Sequence, residues 1–328
     1  MNARQNALEI LRFGKPERVV TGLPTYGVWY TGCNHECYDG SGGHEVSVGT
    51  VWTDVWGTVW KKELPGVMGF PQVHPLARPE NLRTYHWPDP DDERICGRIY
   101  KMAKDSPRDG RFLSGSHRET LWEKAYMLVG MEDLMTYLYT EPGFVREVFH
   151  RVMDHQLGIA KHYLAVGIEV AALGDDLGTQ LGPLLGPQIV NEWLVPEYRR
   201  LFQVYKPRGV IINFHSCGNI LAMLGTFMEL GVDVLNPVQA TANNLDEVRR
   251  ITQGRMALCG AVSTDTIMRG PVDRIIAEVR QRLWQLGRHG GYFCGPDQGM
   301  PFPEPHWRAF QEAVERYGVY PLQPPPGG

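Results

Sequence analysis

The sequence predicts an α/β chain closed into a (β/α)8 TIM barrel with an N-terminal elaboration. Three observations predict it. From about residue 111 short apolar runs alternate with amphipathic stretches, in units of roughly 25–40 residues, the rhythm of a parallel sheet covered by helices. No GxGxxG or GxxxxGK[ST] pattern accompanies them, which weakens a doubly wound nucleotide-binding sheet. Several of the apolar runs end in polar or metal-binding residues, which a barrel gathers at one mouth, at the C-terminal ends of its strands.

In chain order, residues 5–13 read as a short helix and VVTGLPTYG, from Val19, as a first strand. Between roughly 25 and 110 the periodicity is poor and Pro, Gly and Trp are dense. DVWGTVWKKE holds Trp56 and Trp60, and HWPDPDDE is a turn-rich acidic loop. This segment reads as an elaboration that lids or walls a site within one domain spanning 1–328. Trp52, Trp56 and Trp60 recur every four residues, a helical packing stripe before a cofactor platform, although aromatic walls would suit an apolar or aromatic substrate. RFLSGS then reads as a strand, followed by helices in ETLWEKAYMLVG and EDLMTYLYT and a long one in EPGFVREVFHRVMDHQLGIAKHYLAVG, with Pro142 near its start. The strands IEVAALGDD, VIINFHSCG, VDVLNPVQ, MALCGAV and GYFCG follow, with amphipathic helices between them. HWRAFQEAVERYG is the closing helix and PLQPPPGG a frayed tail.

The chain has 328 residues, 43% hydrophobic and 21% charged, with a formal net charge of −4. Its basic residues are scattered, so no nucleic-acid partner is expected. No apolar run approaches the ~18–20 residues that span a bilayer, and the charged N-terminus is no secretory signal, so a cytoplasmic protein without membrane contact is expected. Six cysteines are too sparse for a disulfide framework. Cys33 and Cys37 bracket His35 in TGCNHEC, either a second metal clip or ordinary loop cysteines. Cys96 and Cys259 read as small buried residues.

The chemistry concentrates in VIINFHSCG and GGYFCGPD. His215 and Cys217 lie two apart, so on an extended segment both side chains point the same way. Cys294 ends the second Gly-bounded run. A set of His215, Cys217 and Cys294 without an obvious fourth protein ligand suggests zinc with one open position, the catalytic arrangement. Two thiolates and a neutral imidazole bring that site to zero net charge. It would be a milder Lewis acid than a three-histidine site, suited to activating a thiol or gripping a weakly basic oxygen.

Asp175 and Asp176 end another strand; they could orient substrate, complete the metal shell, move a proton or cap a helix. Asp176, nearer the loop, is the catalytic candidate and Asp175 the substrate-binding one. Gln239 and Asn236 end VDVLNPVQ, where an amide can hold a substrate oxygen or support a ligand, against the reading of Asn-Pro as a turn signal. Gln239 is taken as a catalytic candidate and Asn236 as substrate-binding. His117, after FLSGS, either contacts substrate or caps the next helix.

At HSCGN the chain resembles the uroporphyrinogen decarboxylase superfamily, and within it the zinc-dependent methyltransferases of corrinoid systems. ALEILRFGKPERVV, GDDLGTQLGP, HSCGNILAMLGTFMELGVDVLNPVQ and GGYFCGPD carry the resemblance, which covers most of the chain. It implies a barrel and methyl transfer involving the cobalt of a corrinoid on a partner protein, which would dock transiently over the mouth. The decarboxylases' arginine-rich RQAGRY-like segment is missing: Tyr26 and Gly27 occupy the comparable region, so porphyrinogen decarboxylation is not expected. Two directions remain. In the first, zinc grips the heteroatom of a small methylated donor such as a methyl ether while cobalt takes the methyl group. In the second, zinc holds a thiol acceptor that takes the methyl group from methylcorrinoid. The first is preferred for the aromatic-rich N-terminal segment and the general likeness to demethylating members. Competing classes are a zinc hydrolase with Asp176 as base, a closed non-catalytic metal site, and a metal-free binding barrel.

Overall fold

The computed structural model describes residues 1–107 and 109–325. The end of the tail expected to fray, residues 326–328, lies outside the described residues. Ten strands form: β1 (Thr25–Val28), β2 (Val51–Thr53), β3 (Val59–Lys61), β4 (Phe70–Val73), β5 (Phe112–His117), β6 (Val170–Gly174), β7 (Ile211–His215), β8 (Val234–Val238), β9 (Ala257–Val262) and β10 (Tyr292–Pro296). Seven of them make one parallel sheet in the order β1-β5-β6-β7-β8-β9-β10, so each βα unit adds its strand beside the previous one.

Seven strands stand where eight were expected among the described residues. The first predicted strand is shortened by its Gly22 and Pro24, since proline has no N–H for a ladder. Only Thr25–Val28 pairs with β5. Ahead of it the Val20 carbonyl accepts from the Cys294 N–H at 2.9 Å, bringing β10 back to the start of the sheet.

The helices start where local chemistry dictates. Asn2 and Gln5 form a capping box on Ala3–Leu11, the Asp92 side chain caps Glu93–Lys104, and the Asn244 side chain caps Leu245–Thr252. Pro142 occupies the first turn of the long helix Pro142–Ala165, where its missing N–H costs nothing. No helix among the described residues is long and apolar enough to cross a membrane.

The alternation along each strand sorts the side chains. Phe112, Val170, Val234, Ala257, Cys259 and Phe293 point inside the curled sheet, where Ala7 and Ile10 of the first helix cover its N-terminal end. The opposite phase, including Ala171, Ile212, Phe214, Leu258, Tyr292 and Cys294, packs against the outer helices in the main core. Counting by two from the inner residues places Ser116, Gly174, His215 and Asn236 inside and His117 and Cys294 outside.

The N-terminal elaboration holds a separate antiparallel sheet, β2-β3-β4. Here the tryptophan spacing misleads. Trp52 and Trp60 face each other across a hairpin, rings 6.4 Å apart, and Trp56 lies in its turn, so the three form no helical stripe. All three are buried as packing, with Trp60 Nε1 donating to Asp54 at 2.9 Å. None lines the cavity at the mouth, so the aromatic wall is absent there.

Candidate metal centre

At the C-terminal ends of the strands lies a cavity of about 520 Å³, with Ser116, Arg118, Glu119, Glu123, Asp176, His215, Cys217 and Gln298 on its walls. Asn34 and Met68 of the N-terminal segment complete the rim of this cavity. His215 ends β7 on the inner phase, and Cys217 keeps that phase two residues on. Asp176 lies two residues beyond Gly174 of β6, the register partner of His215. One ligand atom from each of Asp176, His215 and Cys217 lies within 4.8 Å of the others, the only such trio among the described residues.

The geometry fits a metal ion. His215 Nε2 stands 3.2 Å from Cys217 Sγ and 3.5 Å from Asp176 Oδ1. Bonds of about 2.0–2.3 Å to a tetrahedral zinc put neighbouring donors about 3.3–3.8 Å apart. The tautomer is set as well: His215 Nδ1 sits 3.1 Å from Asn236 Oδ1, which can only accept, so Nε2 is left with its lone pair toward Cys217 and Asp176. Burial, and then the Asp176 charge, push the Cys217 thiol well above its usual range. A dication held between thiolate and carboxylate would offset both effects.

Two loops lock the ligands in place. The Cys217 N–H donates to Asp176 Oδ1 at 2.8 Å, and the Gly178 N–H to the Cys217 carbonyl at 3.1 Å. The Asn219 N–H returns to the Thr179 carbonyl at 2.7 Å. Gly218, at φ +82°, lies against the Gly178 backbone, an approach that leaves no room for a Cβ. Its N–H donates to Gln239 Oε1 from behind the turn.

Residues 68–317 match the family described as uroporphyrinogen decarboxylase (URO-D). The chain belongs to that family. Among solved structures, a methyltransferase from Methanosarcina mazei is similar over 97% of this chain and 99% of its own, with TM-score 0.69 and 16% identity. A B12-independent methionine synthase from Shewanella sp. W3-18-1 follows at TM-score 0.43 and 13% identity, covering 65% of this chain and 62% of its own. A D-psicose 3-epimerase from Clostridium cellulolyticum H10 stands at 0.38 and 10%, covering 73% and 85%. At these identities the first match speaks for the fold and the other two carry no argument. No curated protein matches the chain.

In this URO-D chain three expected site residues face away from the cavity. Cys294 is fully buried on the outer phase of β10, in the core under the helices, where burial pushes its thiol up to about 12. It does not join His215 and Cys217, contrary to the expected Cys₂His set; the side chain beside them in this structure is Asp176. His117, outward on β5, is fully buried between Gln156 Oε1 at 2.6 Å and the Tyr205 hydroxyl at 2.5 Å, and burial lowers it to about 4. It is a packed core histidine, not a substrate ligand. Asp175 is buried as well: it accepts from the Leu121 and Glu123 N–H groups at 2.9 and 2.8 Å and from the Tyr198 hydroxyl at 2.5 Å. It thereby holds the start of the helix Trp122–Val129 instead of touching substrate, and its burial raises the carboxyl to about 7.

Asn236 and Gln239 stand behind the ligands. Asn236 orients His215, and Gln239 holds the Gly218 turn, so both are positioning residues in this structure. The second clip does not assemble: Cys33 Sγ faces the Ser116 carbonyl at 3.4 Å, while His35 is buried on Glu119 at 2.9 Å.

Four wall residues escaped the sequence reading. Gln298 lies two residues beyond β10, and its Nε2 is 2.7 Å from Cys217 Sγ. Arg118 reaches Asn34 Oδ1 at 3.3 Å and His44 Nε2 at 3.1 Å. Burial would raise Glu119, but His35 and Lys124 outweigh it and hold this carboxylate well below its usual range. Glu123 has no such partners, and burial followed by the charges of Glu119, Asp175 and Asp176 pushes it well above. Gln298, Arg118 and Glu119 share a signal of position, each within two residues of a strand's C-terminal end, and Glu123 follows in the first turn of the next helix.

Proposed function

We propose that this chain is a zinc-dependent methyltransferase that moves a methyl group from a small methylated substrate of the ether type to the cobalt of a corrinoid on a partner protein. The observation that carries the proposal is the Asp176–His215–Cys217 cluster, opening on a cavity at the strand ends. Its His215 and Asp176 side chains keep 44% and 42% of their surface accessible, so a substrate atom can reach the centre. A cavity of about 520 Å³ suits a small molecule. A corrin macrocycle on its carrier has to approach from outside, so the partner protein belongs over this mouth.

Zinc bound there supplies a Lewis acid at the heteroatom from which the methyl group departs. Asp176, His215 and Cys217 hold it, with Asn236 fixing the imidazole and Gln239 the Gly218 turn. Of the roles open to Asp176 at its strand end, this one completes the metal shell. A carboxylate replaces one of the two expected thiolates, and as a harder, weaker donor it leaves the metal more electrophilic. Burial, and then the charges of Glu119, Asp175 and Asp176, push Glu123 upward on the same cavity wall, the direction that favours a proton donor where a departing oxygen needs one. Both features favour demethylation of a donor over methylation of a thiol acceptor.

The test begins with metal content by elemental analysis of wild type beside His215→Ala. About one zinc per chain, absent from the variant, supports the reading and leads to methyl transfer assays with reduced corrinoid protein against methyl ethers and thiols. Neither protein holding zinc after reloading removes the zinc mechanism. Zinc with transfer only to thiols reverses the direction.

A further inference from the structure

We infer that Gln298 is the fourth, displaceable ligand of the metal centre, an amide oxygen that gives way when the substrate's heteroatom arrives. The inference rests on the metal reading above and deepens it.

The side chain is aimed, not merely near. Its main chain is clamped to the turn after β9: the Gln298 N–H donates to Thr264 Oγ1 at 2.9 Å, and the Thr264 hydroxyl donates to the Gln298 carbonyl at 3.0 Å. One residue earlier, the Asp297 N–H reaches the Val262 carbonyl at 2.9 Å, and Asp297 Oδ1 accepts the Thr264 N–H at 2.8 Å. Asp297 itself is buried. This double clasp sends the Gln298 side chain into the cavity, where its amide touches Cys217 Sγ at 2.7 Å, with His215 Nε2 3.2 Å beyond that sulfur. The amide therefore touches one of the three ligand atoms and lines the same cavity as the other two, within reach of the position where a tetrahedral ion needs its fourth donor.

The chemistry agrees with the placement. An amide carries a donor and an acceptor on one planar group, and a half-turn about its last torsion exchanges them without moving the chain. The NH₂ group faces the sulfur in this structure, and the oxygen is the group that a cation would select. A neutral amide oxygen adds no charge to a site that one thiolate and one carboxylate already balance against a dication. It also binds more weakly than those anions, which makes it the ligand that substrate displaces.

The competing arrangement is an amide that only donates a hydrogen bond to the Cys217 thiolate. Cobalt(II) loaded in place of zinc separates the two by its visible spectrum, without any turnover. If Gln298 is a ligand, Gln298→Ala shifts the ligand-field bands and lowers cobalt affinity at least tenfold, the scale that loss of even an outer partner costs. Gln298→Glu, which keeps an oxygen in place, restores affinity and a four-coordinate spectrum. If Gln298 only donates to sulfur, Gln298→Ala moves the sulfur-to-cobalt charge-transfer band alone and leaves affinity within about twofold, which overturns the inference while the metal reading stands. Wild-type protein that takes up neither zinc nor cobalt overturns both. Circular dichroism of each variant confirms that the fold is retained.

Discussion

Replacing Gly218 by alanine tests how tightly the two ligand-bearing loops are interlocked. Gly218 sits at φ +82°, where an alanine costs about 1–2 kcal/mol. A Cβ there would lie against the Gly178 carbonyl group and 2.7 Å from the Thr179 nitrogen, and all of these are backbone atoms that cannot swing aside. Ordinary contact begins near 3.4 Å, so the loops must part by roughly 0.7 Å or more. That movement strains the Gly178–Cys217 and Asn219–Thr179 backbone hydrogen bonds, each worth about 1 kcal/mol net. The sum is about 3–4 kcal/mol. Urea denaturation reads it directly: at a slope of about 3 kcal/mol/M, the midpoint falls by about 1 M. Zinc content should fall as well, because Cys217 and Asp176 are the residues displaced. Gly182→Ala is the control, since nothing lies within 4 Å of its added carbon, and it should stay within about 0.5 kcal/mol of wild type. A Gly218→Ala protein with wild-type midpoint and full metal content would refute the interlocked-loop account.

Three further outcomes are expected. Asp176→Asn lowers zinc affinity at least tenfold in competition with a chromophoric chelator, whereas Cys294→Ser leaves affinity unchanged; the reverse pattern would reinstate Cys294 as a ligand. His117 and His155 are fully buried, and burial lowers them to about 4 and about 3. The unfolded chain binds their protons from about pH 6.5 downward while the folded chain refuses them, so stability is complete above pH 6.5 and lost as pH falls toward 4, by up to about 1.4 kcal/mol per unit for each. Urea midpoints from pH 7.5 to 4.5 measure this, and a His155→Phe variant, which keeps the ring packed on Trp56 and Tyr30, should show a shallower decline. A flat wild-type profile would contradict it. Tyr198→Phe removes a hydrogen bond to the buried Asp175 and should cost about 1–2 kcal/mol, read by the same denaturation, with metal content intact.

Much of the fold was legible because βα alternation is written in local pattern. The strands in the runs IEVAALGDD, VIINFHSCG and VDVLNPVQ and the long helix opening at Pro142 emerge where the apolar spacing places them. His215 and Cys217 were readable as a pair because two residues of one extended run share a face whatever surrounds them. The tryptophans failed for the converse reason: a spacing of four fits a helix and also a hairpin with a turn between two facing rings, and only the pairing of Trp52 with Trp60 decides. The shortened first strand was foreshadowed by Gly22 and Pro24.

What the sequence by itself determined is which runs become strands, which polar residues stand at their ends, and hence the end of the sheet that carries the site. What only the tertiary structure decided is the phase of each strand. In a parallel sheet covered on both faces, both phases are apolar, so alternation does not reveal which side faces the interior. Asp175 and Asp176, and Cys294 and Phe293, are neighbours in sequence that the curl of the sheet assigns to opposite sides. The same curl brings Gln298 to Cys217, a contact between residues whose proximity no local pattern encodes.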